Sequence, residues 1–270
     1  MTAPWPDRTV GERPARWRAR RWCPGIALDM GSARTRAWLP GRGMVCDVPT
    51  VTFPGAGAYP VRRGSVVDVA GSARMLERLL GRCLPYVARR PLVVLTTPVL
   101  TGDDQRAGAL RALEILRPHR VLTIDSVRAA ALGAGSDPAE PVLVADIGAQ
   151  LTEVALLADG TVRHARRADR GTLDLDGALT TDAFVRTVVG MVLELLREDA
   201  AAGVRAVDAL ARGLLLTGGG AIRPELGYGL ARLLRAPVRP VPAPHTAAVR
   251  GAATALLSAG RHPAFADRWR

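Results

Sequence analysis

With 270 residues, 48% of them apolar, the chain can bury a substantial core as one large domain or two modest lobes. Its formal charge of +12 rests on 37 basic residues, all Arg, scattered among few aromatics; Lys and Asn are absent, so GC-rich coding explains the charge and nucleic acid is not expected as a partner. No apolar run reaches membrane-span length and no secretory segment follows the N-terminus, so a cytoplasmic protein is expected.

In chain order, residues 1–24 (MTAPWPDRTVGERPARWRARRWCP) come first, where Pro4, Pro6 and Pro14 prevent a long helix and predict a flexible tail. A second reading sets Trp17 and Trp22, among Arg16, Arg18, Arg20 and Arg21, against an anionic inner-membrane surface. GIALDMG and RAWLPGRGMVCDVP then read as strands joined by a bend at Asp29–Thr35, and PLVVLTTP as a buried strand. DDQRAGALRALEIL reads as a helix with acids in its first turn and Ala107, Leu110, Leu113 and Leu116 along one side. The strand HRVLTID and the helix SVRAAALGAG follow. The second half repeats the theme with strands at 141–147, 151–158 and 161–167, then the helix TDAFVRTVVGMVLELLRE. It closes with the strand RGLLLT, a glycine loop, the helix ELGYGLARLL, a short strand near Val238 and the helix TAAVRGAATALLSA. This alternation predicts an α/β protein of two similar lobes. Cys23, Cys46 and Cys83 are odd in number and far apart, as reduced thiols are, and the four histidines show no metal-ligand spacing.

The repeat is visible at single residues. Asp29-x-Gly31-x-x-x-Thr35 matches Asp146-x-Gly148-x-x-x-Thr152, each after a buried strand and before another. One Asp-x-Gly is an ordinary hairpin bend; two at matching spacing in matching halves point to acids facing a cleft and glycines admitting an anion. Thr217-Gly218-Gly219-Gly220 follows a buried strand and precedes a helix, the arrangement that brings bare backbone close to a phosphate or nucleoside. A packing corner needs one such glycine.

In this order the elements resemble the actin-like ATPase superfamily, with its ribonuclease H-like fold, and within it the MreB family of rod shape-determining bacterial actins. The resemblance runs from about Gly25 to Ala259, through DMGSARTRAWLPGRGMVCDVPTV, YPVRRGSVVDVAGSARMLERLL, VVLTTPVLTGDDQRAG, LTIDSVRAAALGAG, VADIGAQLTEVALL, LLLTGGGAI and PHTAAVRGAATALL. It implies lobe I at 25–135 and lobe II at 136–246, with a C-terminal helix at 247–260 returning to lobe I and a tail at 261–270. It implies ATP and Mg²⁺ between the lobes. Asp29 and Asp146 would organise the metal through water, Gly31, Ser32 and Gly148 would line the phosphates, Thr35 and Thr152 would support their loops, and Gly218, Gly219 and Gly220 would approach the nucleoside.

Departures accompany it. The family's second phosphate loop is glycine-rich where this chain has Ala149-Gln150-Leu151, so Gln150 is expected to crowd the terminal phosphate or restrict the backbone. The family's water-orienting acid falls on Ser126, with Asp125 a substitute only if the register slips by one. Both small subdomains are reduced or missing. The expected function is an MreB-like cell-shape protein that binds ATP, hydrolyses it weakly or not at all, and associates with itself or a full-length MreB-like filament and a cell-wall synthesis complex. The alternative is a nucleotide-independent pseudo-actin scaffold. A sugar- or acetate-kinase relative would need larger insertions and a substrate-facing acid.

Overall fold

Runs of aliphatic residues closed by glycine or proline become the strands, and the 3.6-periodic stretches between them become helices. The computed structural model describes residues 25–53, 58–81, 90–175, 177, 179–200 and 205–262. The tail at 1–24, with Trp17, Trp22 and Cys23, lies outside the described residues, as do Cys83 and 263–270. In chain order the elements of lobe I are β1 (Gly25–Met30), β2 (Arg34–Leu39), β3 (Gly43–Pro49), β4 (Val61–Arg62), β5 (Ser65–Val66), α1 (Val69–Leu80), β6 (Leu92–Thr97), α2 (Asp103–Leu113), β7 (Arg120–Asp125) and α3 (Ser126–Gly133). Lobe II follows with β8 (Val142–Ile147), β9 (Thr152–Ala158), β10 (Thr161–Ala168), α4 (Thr181–Ala200), α5 (Arg205–Arg212), β11 (Leu214–Thr217), α6 (Pro224–Leu234) and β12 (Val238–Pro240), and the chain ends in α7 (Ala247–Ala259).

Two five-stranded sheets result, ordered β3-β2-β1-β6-β7 and β10-β9-β8-β11-β12, beside the small hairpin β4-β5. In each sheet the first three strands pair antiparallel and the others join in parallel through crossover helices. One order maps onto the other strand for strand, so the lobes are built alike. Strand alternation sends side chains to two faces. On the outer face of lobe I, Ile26 and Leu28 meet Leu76 and Leu80 of α1 and Leu113 of α2. In lobe II, Leu143 and Leu156 meet Phe184, Val188 and Val192 of α4 and Leu230 of α6. The inner faces share one filling, because Ala27 and Val94 pack on Ala129 of α3 and Ala252 of α7, while Val144 and Ala155 pack on Val127 of α3 and Ala247.

The crossing of α3 and α7 is close because both helices carry small residues four apart. A Cβ on Gly133 would strike the Ala247 carbonyl, and one on Gly251 the Ala129 carbonyl. Arg250 locks the crossing by donating to the Gly133 carbonyl at 3.2 Å and the Pro242 carbonyl at 2.7 Å.

Three elements went unread in the sequence: α1, α5 and the β4-β5 hairpin. Helix α1 opens on Asp68, whose carboxylate accepts the Gly71 N–H at 2.7 Å, an N-cap worth about 0.5–2 kcal/mol. The stripe of α2 also lies round from the expected one. Ala109, Ala112 and Leu113 are buried with Leu116, which a 3₁₀ turn brings in, and Ala107 is exposed. Among the described residues, only β4-β5 sits where the first small subdomain would be, and one 3₁₀ turn at Thr172–Asp174 stands between β10 and α4. No helix among the described residues is long and apolar enough to cross a membrane.

Candidate functional site

Strands β1 and β8 end at the same cleft. After Asp29 the chain turns so that the Gly31 N–H donates to the Arg34 carbonyl at 3.0 Å; after Asp146 the Gly148 N–H donates to Leu151 at 2.8 Å. A Cβ would lie 3.1 Å from the closing carbonyl at Gly31 and 2.9 Å at Gly148, so these glycines allow the bends to close tightly. The threonines brace the loops from behind. Thr35 Oγ1 lies 2.9 Å from the Thr50 hydroxyl, which donates to the Gly31 carbonyl at 2.7 Å. Thr152 donates to the Arg170 carbonyl at 2.8 Å. Both are fully buried.

Between the loops lies a cavity of ≈ 310 Å³, lined by Asp29, Gly31, Ser32, Asp146, Gly148, Gly218, Gly219 and Ser126 among others. That is near the lower end of small-molecule sites, about 300–1,000 Å³. Thr35, Asp125, Thr152 and Gly220 are not among its lining residues. The three glycines after β11 differ in role. Gly218 has φ 80° and no room for a Cβ beside the Asp146 carboxylate, and Gly220 packs on Ile147, whereas a Cβ on Gly219 would meet open space. Gly219 is therefore the position where bare backbone faces the cleft.

Each lobe lays a row of polar side chains across its sheet. In lobe I, Thr96 donates to Asp29 Oδ1 at 2.7 Å, Arg36 pairs with Asp29 in register at 3.5 Å, and Arg36 Nε lies 3.2 Å from Asp47. In lobe II the registers run Thr217, Asp146, Glu153, Arg167. Burial alone would raise the Asp47 carboxyl, but the Arg34 and Arg36 guanidiniums hold it below its ordinary range. Burial pushes Asp146 up to about 6, helped by the charge of Asp29 and offset by the Thr217 hydroxyl and Arg36. Burial, then the Asp146 charge, pushes Glu153 up to about 8. Both acids are thus pushed above the ordinary carboxylate range, Glu153 the further.

Polar bonds also cross the cleft. Glu153 Oε1 accepts the Val99 N–H of lobe I at 2.6 Å. The tip of β4-β5 reaches lobe II, where Arg63 N–H donates to the Gln150 side chain at 3.1 Å and the Arg63 carbonyl accepts from Arg167 at 2.7 Å. Gln150 thus bonds across the cleft, and its backbone is not left-handed. The Ser126 hydroxyl donates to the Thr97 carbonyl at 2.9 Å. Asp125 lies at the end of β7, raised by burial against Arg128 and Arg106. Sequence reading missed Arg36, Glu153 and His245, all lining the cavity. Arg36 and Glu153 follow their aspartates at equal distance, and extending the repeat one residue past each threonine would have found them.

The profile of the MreB/Mbl protein family matches residues 56–187. Over that stretch the chain resembles the MreB/Mbl proteins. Among curated relatives, the cell shape-determining protein MreB of Escherichia coli K12 is 23% identical over 200 residues, covering 62% of this chain. The MreB-like chain aligns with 57% of that relative's length. Solved structures share its fold. MreB5 of Spiroplasma citri bound to ADP superposes with TM-score 0.73 at 16% identity, covering 88% of this chain and 98% of that one. The MamK double helical filament gives 0.71 at 15%, covering 88% and 99%.

Proposed function

We propose that this MreB-like chain is a cytoskeletal protein of the cytoplasm that binds an adenine nucleotide between its lobes and supports cell-wall morphogenesis. The observation that carries this reading is the pair of like-built turns, after Asp29 and Asp146, opening on one cavity with Gly219 at its edge. Gly31, Ser32 and Gly148 line the polyphosphate, and Gly218–Gly220 form the strand–helix corner under the nucleoside. ADP in the Spiroplasma citri neighbour supports the ligand class, and the filament of the MamK neighbour supports assembly with itself or a full-length relative. The N-terminal tail is the segment proposed to meet the inner face of the membrane, and a cell-wall synthesis complex is the proposed further partner.

Hydrolysis is slow or absent in this reading. The hydroxyl at the water-orienting position, Ser126, is given to the Thr97 carbonyl, and a serine orients water poorly as a base. The thermal midpoint with and without nucleotide tests the proposal. Saturation at about 100 times Kd adds about 2.7 kcal/mol. An unchanged midpoint with ADP and with ATP refutes it.

A second reading, the nucleotide-independent scaffold, is favoured by the bonds from Gln150, Arg167 and Glu153 that join the lobes without a ligand. Purified protein that never retains or binds nucleotide, yet assembles with a filament, would establish it.

A further inference from the structure

The row at the end of the lobe I sheet places a fixed cation beside the acid expected to help hold magnesium. Both oxygens of Asp29 are engaged. Oδ1 accepts the Thr96 hydroxyl at 2.7 Å and Oδ2 faces Arg36 Nη1 at 3.5 Å. Arg36 is held from the other side as well, with Nε 3.2 Å from Asp47, and its side chain is only 11% exposed. Register fixes this geometry, because Arg36 sits opposite Asp29 on β1 and opposite Asp47 on β3. It also lines the cavity.

Magnesium is exacting in its demand for oxygens at octahedral positions and sheds water reluctantly, so carboxylates that organise its shell must have lone pairs free. A guanidinium within ion-pair range of one of those carboxylates offsets its charge and repels a second cation. Lobe II does not compensate, since Glu153 Oε1 is turned to the Val99 N–H of lobe I at 2.6 Å. Among the described residues, no three His, Cys, Asp or Glu side chains gather where they could hold a metal. The residues present do not fit magnesium.

We infer that Arg36 takes the electrostatic place of the divalent cation, so that the cleft binds a polyphosphate as the metal-free anion. A guanidinium offers five N–H donors in a fixed fork, enough to hold two carboxylates and serve a phosphate oxygen. The identity of the anion rests on the nucleotide reading; the exclusion of the metal does not.

Two measurements on the full chain test this. Manganese is titrated into the protein and the free ion counted by its electron paramagnetic resonance signal, and ADP binding is measured by calorimetry in EDTA and in magnesium. Wild type is expected to show no saturable manganese site below millimolar concentration and ADP affinities within about threefold in the two buffers. Arg36→Leu is expected to gain a manganese site, to lose about tenfold in ADP affinity in EDTA, and to regain it with magnesium. A wild-type affinity that rises tenfold or more with magnesium, ~1.4 kcal/mol, overturns the inference, as does a saturable manganese site on wild type. Should ADP bind in neither buffer, the nucleotide reading falls while the manganese titrations still decide. A site present only in the variant supports the role of Arg36, and identical titrations overturn it. If the leucine variant does not fold, Arg36→Gln replaces it, and the wild-type titration stands by itself.

Discussion

Arg36 and Glu153 occupy equivalent positions in the two lobes and differ in charge. Arg36 faces Asp29 from the neighbouring strand β2, and Glu153 faces Asp146 from β9. Their own outer neighbours are inverted too, Asp47 beside Arg36 and Arg167 beside Glu153. One duplicated frame thus gives its first acid a permanent countercharge and its second a buried neighbouring acid whose titration is pushed upward.

That asymmetry sets a pH dependence. Glu153 is raised from 4.5 to about 8 and Asp146 from 3.8 to about 6. Between the unfolded and folded values the folded chain holds protons that the unfolded chain has lost, so stability falls as pH rises and levels off above the folded values. Urea denaturation from pH 4.5 to 9 is expected to show this decline. Glu153→Gln, which keeps an acceptor for the Val99 N–H, is expected to flatten it above pH 6 and to stabilise the chain at pH 9 by about 1–3 kcal/mol. An unchanged profile would show that the carboxyl is not protonated in the fold.

The glycines after β11 separate packing from access. Gly218→Ala combines an unfavourable φ of 80° with contact on Asp146 and is expected to destabilise by about 1–3 kcal/mol. Gly219→Val is expected to leave the unfolding midpoint within about 0.5 kcal/mol while blocking the nucleotide-dependent thermal shift.

A second glycine pair tests the join between lobes. Gly251→Ala presses on the Ala129 carbonyl and is expected to cost about 1–3 kcal/mol. Gly190→Ala, inside α4 where a Cβ meets nothing within 4 Å, is expected to stabilise by about 0.5–1 kcal/mol. Chemical denaturation of both variants checks the opposite signs.

For the site itself, Asp146→Ala removes the carboxylate against which the Gly218 turn is packed and is expected to abolish nucleotide binding by releasing that turn. Ser126→Glu, which surrenders the bond to the Thr97 carbonyl, is expected to keep binding and raise phosphate release. Retained affinity in the alanine variant would show that the second loop does not carry the ligand.

What the sequence made legible was local. The buried strands, the matching Asp-x-Gly turns and the apolar face of α4, with Phe184, Val188 and Val192, depend on spacing within a dozen residues, and all three are present. Helix α1 was legible in principle through Asp68 and the Met75, Leu76 and Leu80 stripe, but Gly71 and Ser72 in its first turn weakened the pattern. The site's electrostatics were not legible, because Thr96, Val99, Arg63 and Arg167 reach it from strands and a hairpin far away in sequence. Only folding creates those neighbours.

The Arg63 hairpin, described above as a bond across the cleft, has a consequence for signalling. A jaw already fastened by Gln150, Arg167 and Glu153 has little travel left for a guest to drive. A guest that spreads the lobes must first break those bonds, so the differential affinity it needs rises by whatever they contribute.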